Sequence, residues 1–103
     1  MSGLPYPNSK GKRRVIKSIS GEKVAFHVED EIVIPFGLGK LIYFQKMKWE
    51  ADQRTEYRFT YYMSGHKPGR KGKWVFGQYS LMIPAKELSM LLAEAKARGW
   101  EGI

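Results

Sequence analysis

The chain contains no cysteine among its 103 residues. A disulfide framework and a thiolate metal site are therefore excluded. A reducing compartment fits this composition, and a cytoplasmic location is the default expectation. No apolar run reaches the roughly 18 residues that a membrane-spanning helix requires, and residues 1–8 lack the apolar stretch of a secretory signal. Histidine is scarce. His27 and His66 are the only two, and neither has a companion at metal-ligand spacing. No Ser-His-Asp order, Walker-type phosphate loop or dinucleotide fingerprint is present, and GLGK at Gly37–Lys40 is too short to cradle a phosphate. The acidic run Glu29-Asp30-Glu31 reads as a solvated turn, and Glu50 and Asp52 beside Lys46 and Lys48 do not complete a nuclease pattern. A nucleophile–base pair cannot be nominated. The expectation is a non-enzymatic protein without metal or cofactor.

The most telling absence is local: from Tyr57 to Lys86 there is no acidic residue. The same stretch carries Arg58, Lys67, Arg70, Lys71, Lys73 and Lys86, together with Tyr57, Phe59, Tyr61, Tyr62, Trp74, Phe76 and Tyr79. Over the whole chain 18 Lys and Arg face 10 Asp and Glu, a formal charge of +8. Such a balance favours an anionic partner: nucleic acid, an acidic protein or an anionic membrane surface. Cations interleaved with flat rings suit a nucleic-acid strand best, since the cations neutralise phosphates and the rings stack on bases. The bland alternative is the core of a small sheet with a solvated basic rim.

A chain of this length forms one domain with a modest core. Residues 1–12, rich in Gly, Pro and Ser, read as a flexible arm that carries Lys10 and Lys12 and leads into Arg13 and Arg14. Residues 13–103 read as a single sheet-plus-helix domain. A first strand starts near Val15. Lys23–Glu29 alternates with Val24, Phe26 and Val28 on one face. A polar break at Asp30-Glu31 separates it from a short apolar strand ending at Phe36. Leu41–Glu50 and Thr55–Met63 are two long alternating strands. Lys73–Met82 is a third, and Gly77 within it signals a bulge, a bend or a close backbone approach. Pro84 suits the first turn of a helix, along which Leu88, Leu91, Leu92 and Ala95 form an apolar stripe. Glu94 and Arg98 are spaced to pair, and Gly99 is a C-terminal stop after which Trp100 folds back. The expected fold is α+β: an antiparallel meander of about five strands with one C-terminal helix packed on it.

The loop Ser64–Gly72 displays His66, Lys67, Arg70 and Lys71 around the turn formers Pro68-Gly69. The segment Arg58–Leu92, with its strand ending Tyr61-Tyr62-Met63, its loop KPGRKG at Lys67–Gly72, and Leu81 followed by the helical Glu87–Leu92, resembles the transcriptional positive-cofactor-four family of single-stranded-DNA-binding coactivators. The resemblance implies a curved antiparallel sheet, dimerisation through helices, and a grip on unpaired strands by sheet face and basic loops. It covers about a third of the chain. A lengthened path at Lys73–Ser80 and an extra strand depart from the family pattern.

The expected function is binding of single-stranded DNA or RNA by a homodimer. Phosphate contacts are assigned to Lys46, Lys48, Arg58, His66, Lys67, Arg70, Lys71 and Lys73, with Lys10, Lys12, Arg13 and Arg14 adding non-specific affinity. Tyr62 and Trp74 are assigned to base stacking. Lys46, Lys48 and Arg58 are expected on one solvent face, with Phe44 and Tyr62 beside them. The alternative function is a protein-interaction module using an open aromatic sheet face. Such an interface would deplete lysine at its centre, whereas here lysines alternate with the rings.

Overall fold

The computed structural model describes residues 6–37, 39–64, 72–77 and 80–103. Five strands form one antiparallel sheet in sequence order: β1 Arg13–Lys17, β2 Lys23–Pro35, β3 Lys40–Trp49, β4 Thr55–Ser64 and β5 Trp74–Phe76. One helix, α1 Ala85–Ala97, follows. The α+β meander read from the alternation is therefore the observed architecture.

Strand boundaries differ from the sequence reading in several places: β1 begins at Arg13 and not near Val15, and two further differences matter more. Asp30-Glu31 does not break a strand. β2 runs through it with a bulge, because Val28 pairs with Met47 and Asp30 with Lys46, leaving Glu29 as the extra residue. A bulge absorbs a polar insertion without ending the ladder and resets which face each side chain takes. At the other end, β5 stops at Phe76 instead of running to Met82. Gly77 donates its N–H to the Tyr61 carbonyl at 2.7 Å and lies so close beneath the Tyr61 ring that an added Cβ would overlap it. The close backbone approach expected at this glycine is thus present. Beyond it, Leu81 and Ile83 pack into the core under the helix.

The helix covers one face of the sheet. Leu91 and Ala95, both fully buried, meet Ile32, Ile42 and Phe44. Phe44 stacks on Phe59 with 4.2 Å between ring centroids. The helix ends as its sequence signals. Gly99 takes a left-handed φ of +75°, Trp100 N–H donates to the Ala95 carbonyl, and the indole stacks on Tyr57 at 5.6 Å. Arg98 Nε donates to Glu94 Oε2 at 2.9 Å, the pair expected from the spacing. The helix terminus is then tied to the β2 bulge. Asp30 accepts from Trp100 Nε1 at 3.1 Å and from Arg98 Nη1 at 3.2 Å. No helix among the described residues is long and apolar enough to cross a membrane.

Residues 1–5 of the expected arm lie outside the described residues. Residues 7–12 are fastened to the sheet. Tyr43 donates its hydroxyl to the Pro7 carbonyl at 2.5 Å, Ser9 N–H donates to Glu31 Oε2 at 2.8 Å, and Gly11 and Lys12 exchange backbone hydrogen bonds with Val28.

Candidate nucleic-acid interface

The register of the β3–β4 hairpin decides which cations share a face. Lys46 pairs with Tyr57, and Gln45 pairs with Arg58. Since side chains alternate across a strand, paired residues share a face. Lys46 and Lys48 therefore lie on the helix side with Phe44, while Arg58 and Tyr62 lie on the opposite side. The expectation that Lys46, Lys48, Arg58, Phe44 and Tyr62 form one solvent face is corrected accordingly. Alternation within each strand was read properly, but the six residues between the paired Lys48 and Thr55 set the parity between strands, and a one-residue slip flips a whole strand.

The face away from the helix is concave. Arg14 and Ile16 of β1, Phe26 of β2, Arg58 and Tyr62 of β4, and Phe76 of β5 line a single cleft of about 340 Å³. For the two outermost strands to line one cleft, the sheet must curl towards this side. Arg58 lies on the floor with its guanidinium 5.1 Å from the Phe26 ring centroid and 5.9 Å from that of Phe76. Tyr62 makes edge contacts with Tyr43 at 5.2 Å and Phe76 at 5.3 Å. Phe76 keeps 48% of its surface exposed.

Charge compensation separates the expected phosphate ligands into two groups. Arg13 Nε and Nη2 both donate to Glu50, at 2.6 and 3.0 Å. His27 Nε2 lies 2.7 Å from the same carboxylate, and together these partners hold Glu50 down at a pKa of about 2. Lys46 and Lys48 lie 3.9 and 3.5 Å from Glu29, and Lys10 lies 3.5 Å from Asp30. Arg14, Arg58, Lys12 and Lys73 have no carboxylate within ion-pair distance among the described residues. Of these, Arg14 and Arg58 share the cleft. Burial holds the Arg58 guanidinium below its ordinary pKa, and the neighbouring Arg14 charge adds to the effect. Arginine stays protonated even so, so the cleft holds two cations, neither in an ion pair among the described residues.

The three consecutive carboxylates do not form the solvated turn expected of them. The bulge points Glu29 to the lysines and Asp30 to the helix terminus, and Glu31 goes to the concave side, where it accepts from Ser9 N–H and from Gln45 Nε2, each at 2.8 Å. Trp74, expected to stack on bases, is half-buried with Tyr6 edge-on at 6.1 Å. Among the described residues its indole N–H, though buried, has no acceptor. Lys73, just before β5, is exposed. His66, Lys67, Arg70 and Lys71 lie outside the described residues.

Sequence reasoning missed Phe76 and Phe26 as cleft residues. Phe76 was within reach, since its alternation with Trp74 places both on one face. Phe26 could be found only from the pairing of β2 with β3. No family model matches the chain, and neither the curated proteins nor the solved structures include a match.

Proposed function

We propose that the protein is a non-enzymatic binder of single-stranded nucleic acid and that the concave face is its binding surface. One observation carries the reading: Arg14 and Arg58, two guanidinium groups without a carboxylate partner among the described residues, sit together among Phe26, Tyr62 and the exposed Phe76. Guanidinium forks match phosphate oxygens, and an exposed ring offers a stacking platform. A single strand suits this cleft better than a duplex. Among the described residues the one helix packs Leu91 and Ala95 on the other side of the sheet, leaving no recognition helix there for a major groove. The basic loop from His66 to Lys71, with Lys73, would extend the phosphate track, as the resemblance to the positive-cofactor-four family also implies. A homodimer belongs to the same reading. Leu92, 37% exposed, lines a shallow groove with Leu88 and Ile103 along the helix, and Met90 of the same helix is also exposed.

The test is a titration with single- and double-stranded DNA and RNA across salt concentrations. Each phosphate contact on a single strand contributes about −0.7 to the slope of log affinity against log salt. Replacing Arg14 and Arg58 together by Gln should make the slope shallower by about 1.4. Replacing Lys46 and Lys48, already paired with Glu29 on the opposite face, should leave it unchanged. The reverse pattern would move the interface to the helix side and overturn the reading. Salt-insensitive binding to a protein partner would instead favour the interaction module.

A further inference from the structure

A carboxylate shares the concave face with Arg58 but makes no ion pair with it; the two are joined only through Gln45. Glu31 is on the same concave face, but its two oxygens are occupied by Ser9 N–H and by Gln45 Nε2, each at 2.8 Å. Gln45, only 1% exposed, then accepts from Arg58 Nε at 2.7 Å. A neutral amide is thus inserted between acid and base. It fixes the guanidinium plane through one N–H and leaves the terminal N–H groups without an acceptor among the described residues. Arg58 is half-buried over the Phe26 and Phe76 rings, and its unpaired N–H groups are left for an anion that enters the cleft. Such an arrangement suits a site that receives its anion from outside.

On this basis we infer that the cleft takes one nucleotide unit, with a phosphate on Arg14 and Arg58, a planar base on Phe76, and Gln45 as the residue that positions Arg58. The inference rests on the nucleic-acid reading above and deepens it from a charged face to a discrete subsite. The volume of about 340 Å³ falls at the small end of the range of roughly 300–1,000 Å³ typical of small-ligand pockets. That leaves room for a single unit within the cleft. The cleft has a wall of β1 residues on one side and β5 on the other, so a longer strand would lodge one nucleotide here and continue over the rim.

The experiment is an NMR titration with thymidine 5′-monophosphate, thymidine and inorganic phosphate in parallel, read on the arginine Nε–Hε signals, with an oligothymidylate as a fourth ligand. The mononucleotide should bind one per chain, about tenfold or more tighter than thymidine or phosphate alone, as expected when two partial contacts combine. Arg14→Gln should weaken it about tenfold. Phe76→Ala should weaken it about fivefold or more while leaving inorganic phosphate binding unchanged. Both side chains sit at the cleft rim, so these variants keep the test valid even if Arg58→Gln fails to fold. Mononucleotide binding no tighter than that of phosphate, or unaffected by Phe76→Ala, overturns the subsite. If the oligonucleotide binds and the mononucleotide does not, the subsite falls and the nucleic-acid reading stands. If only the mononucleotide binds, the subsite stands and that reading falls. If neither binds, both fall.

Discussion

Asp30→Ala should detach the end of the helix from the sheet. In the folded protein this carboxylate accepts from Trp100 Nε1 at 3.1 Å and from Arg98 Nη1 at 3.2 and 3.3 Å, and lies 3.5 Å from Lys10. Trp100 itself is buried against Phe44 and Tyr57. Truncation leaves the indole N–H buried without a partner, which costs about 1–3 kcal/mol. Loss of the partly exposed Arg98 pair adds about 0–1 kcal/mol. The sum, about 1–4 kcal/mol, should appear as a lower urea midpoint at unchanged slope and a fall in Tm of roughly 5–30 °C. Asp30→Asn keeps an acceptor for the indole and should cost less than half as much. The pH dependence follows from the same contacts. Burial pushes the Asp30 pKa up, but the Trp100 indole, the Glu31 backbone N–H and Arg98 outweigh it, so the folded value lies below the ordinary one. A depressed folded pKa means the stabilisation is complete above the unfolded value of about 3.9 and is lost as pH falls through the folded value. Acid unfolding of Asp30→Asn should therefore be shallower than that of the parent. A change under about 0.5 kcal/mol for Asp30→Ala would refute the anchoring role, since that is the range of ordinary surface substitutions.

Leu91→Ala should destabilise the fold by about 2–5 kcal/mol, because the side chain is fully buried between helix and sheet; an unchanged thermal melt would remove the helix from that face. Gly77→Ala should cost about 1–3 kcal/mol, because the new methyl overlaps the Tyr61 ring, and denaturant unfolding would register the loss. Replacing Arg70, Lys71 and Lys73 by Ala should make the single-strand salt slope shallower by roughly 2, with little change in base preference; equal slopes for parent and variant would reduce that loop to a solvated turn. Sedimentation at micromolar concentration should show a dimer, and a monomer alone would remove it from the proposal.

Several features were legible before any coordinates. The 3.6-residue stripe, Pro84 read into the first turn and Gly99 after the last are local signals. The helix starts just after Pro84 as its N-cap and buries Leu91 and Ala95 of the stripe, while Leu92 stays exposed. Alternation in Leu41–Met63 defined two strands and sorted each strand's residues into two sets. The acid-free stretch marked Arg58, Tyr62 and the rings around them. Local periodicity carries no information about how one strand's parity meets its neighbour's. That pairing placed Lys46 and Lys48 under the helix side and Arg58 opposite, and only tertiary hydrogen bonding sets it. The bulge at Glu29 likewise arises from the match between β2 and β3. It sends three adjacent acids to three separate tasks. Compensation of charge is also a long-range property: Arg13 meets Glu50 across 37 residues, whereas the adjacent Arg14 faces into the cleft. Composition alone determined that the chain is cationic and rich in rings. The curl of the sheet decided which cations remain uncompensated and which ring stays open beside them, because neutralisation depends on distance in space and burial depends on the face a side chain is given.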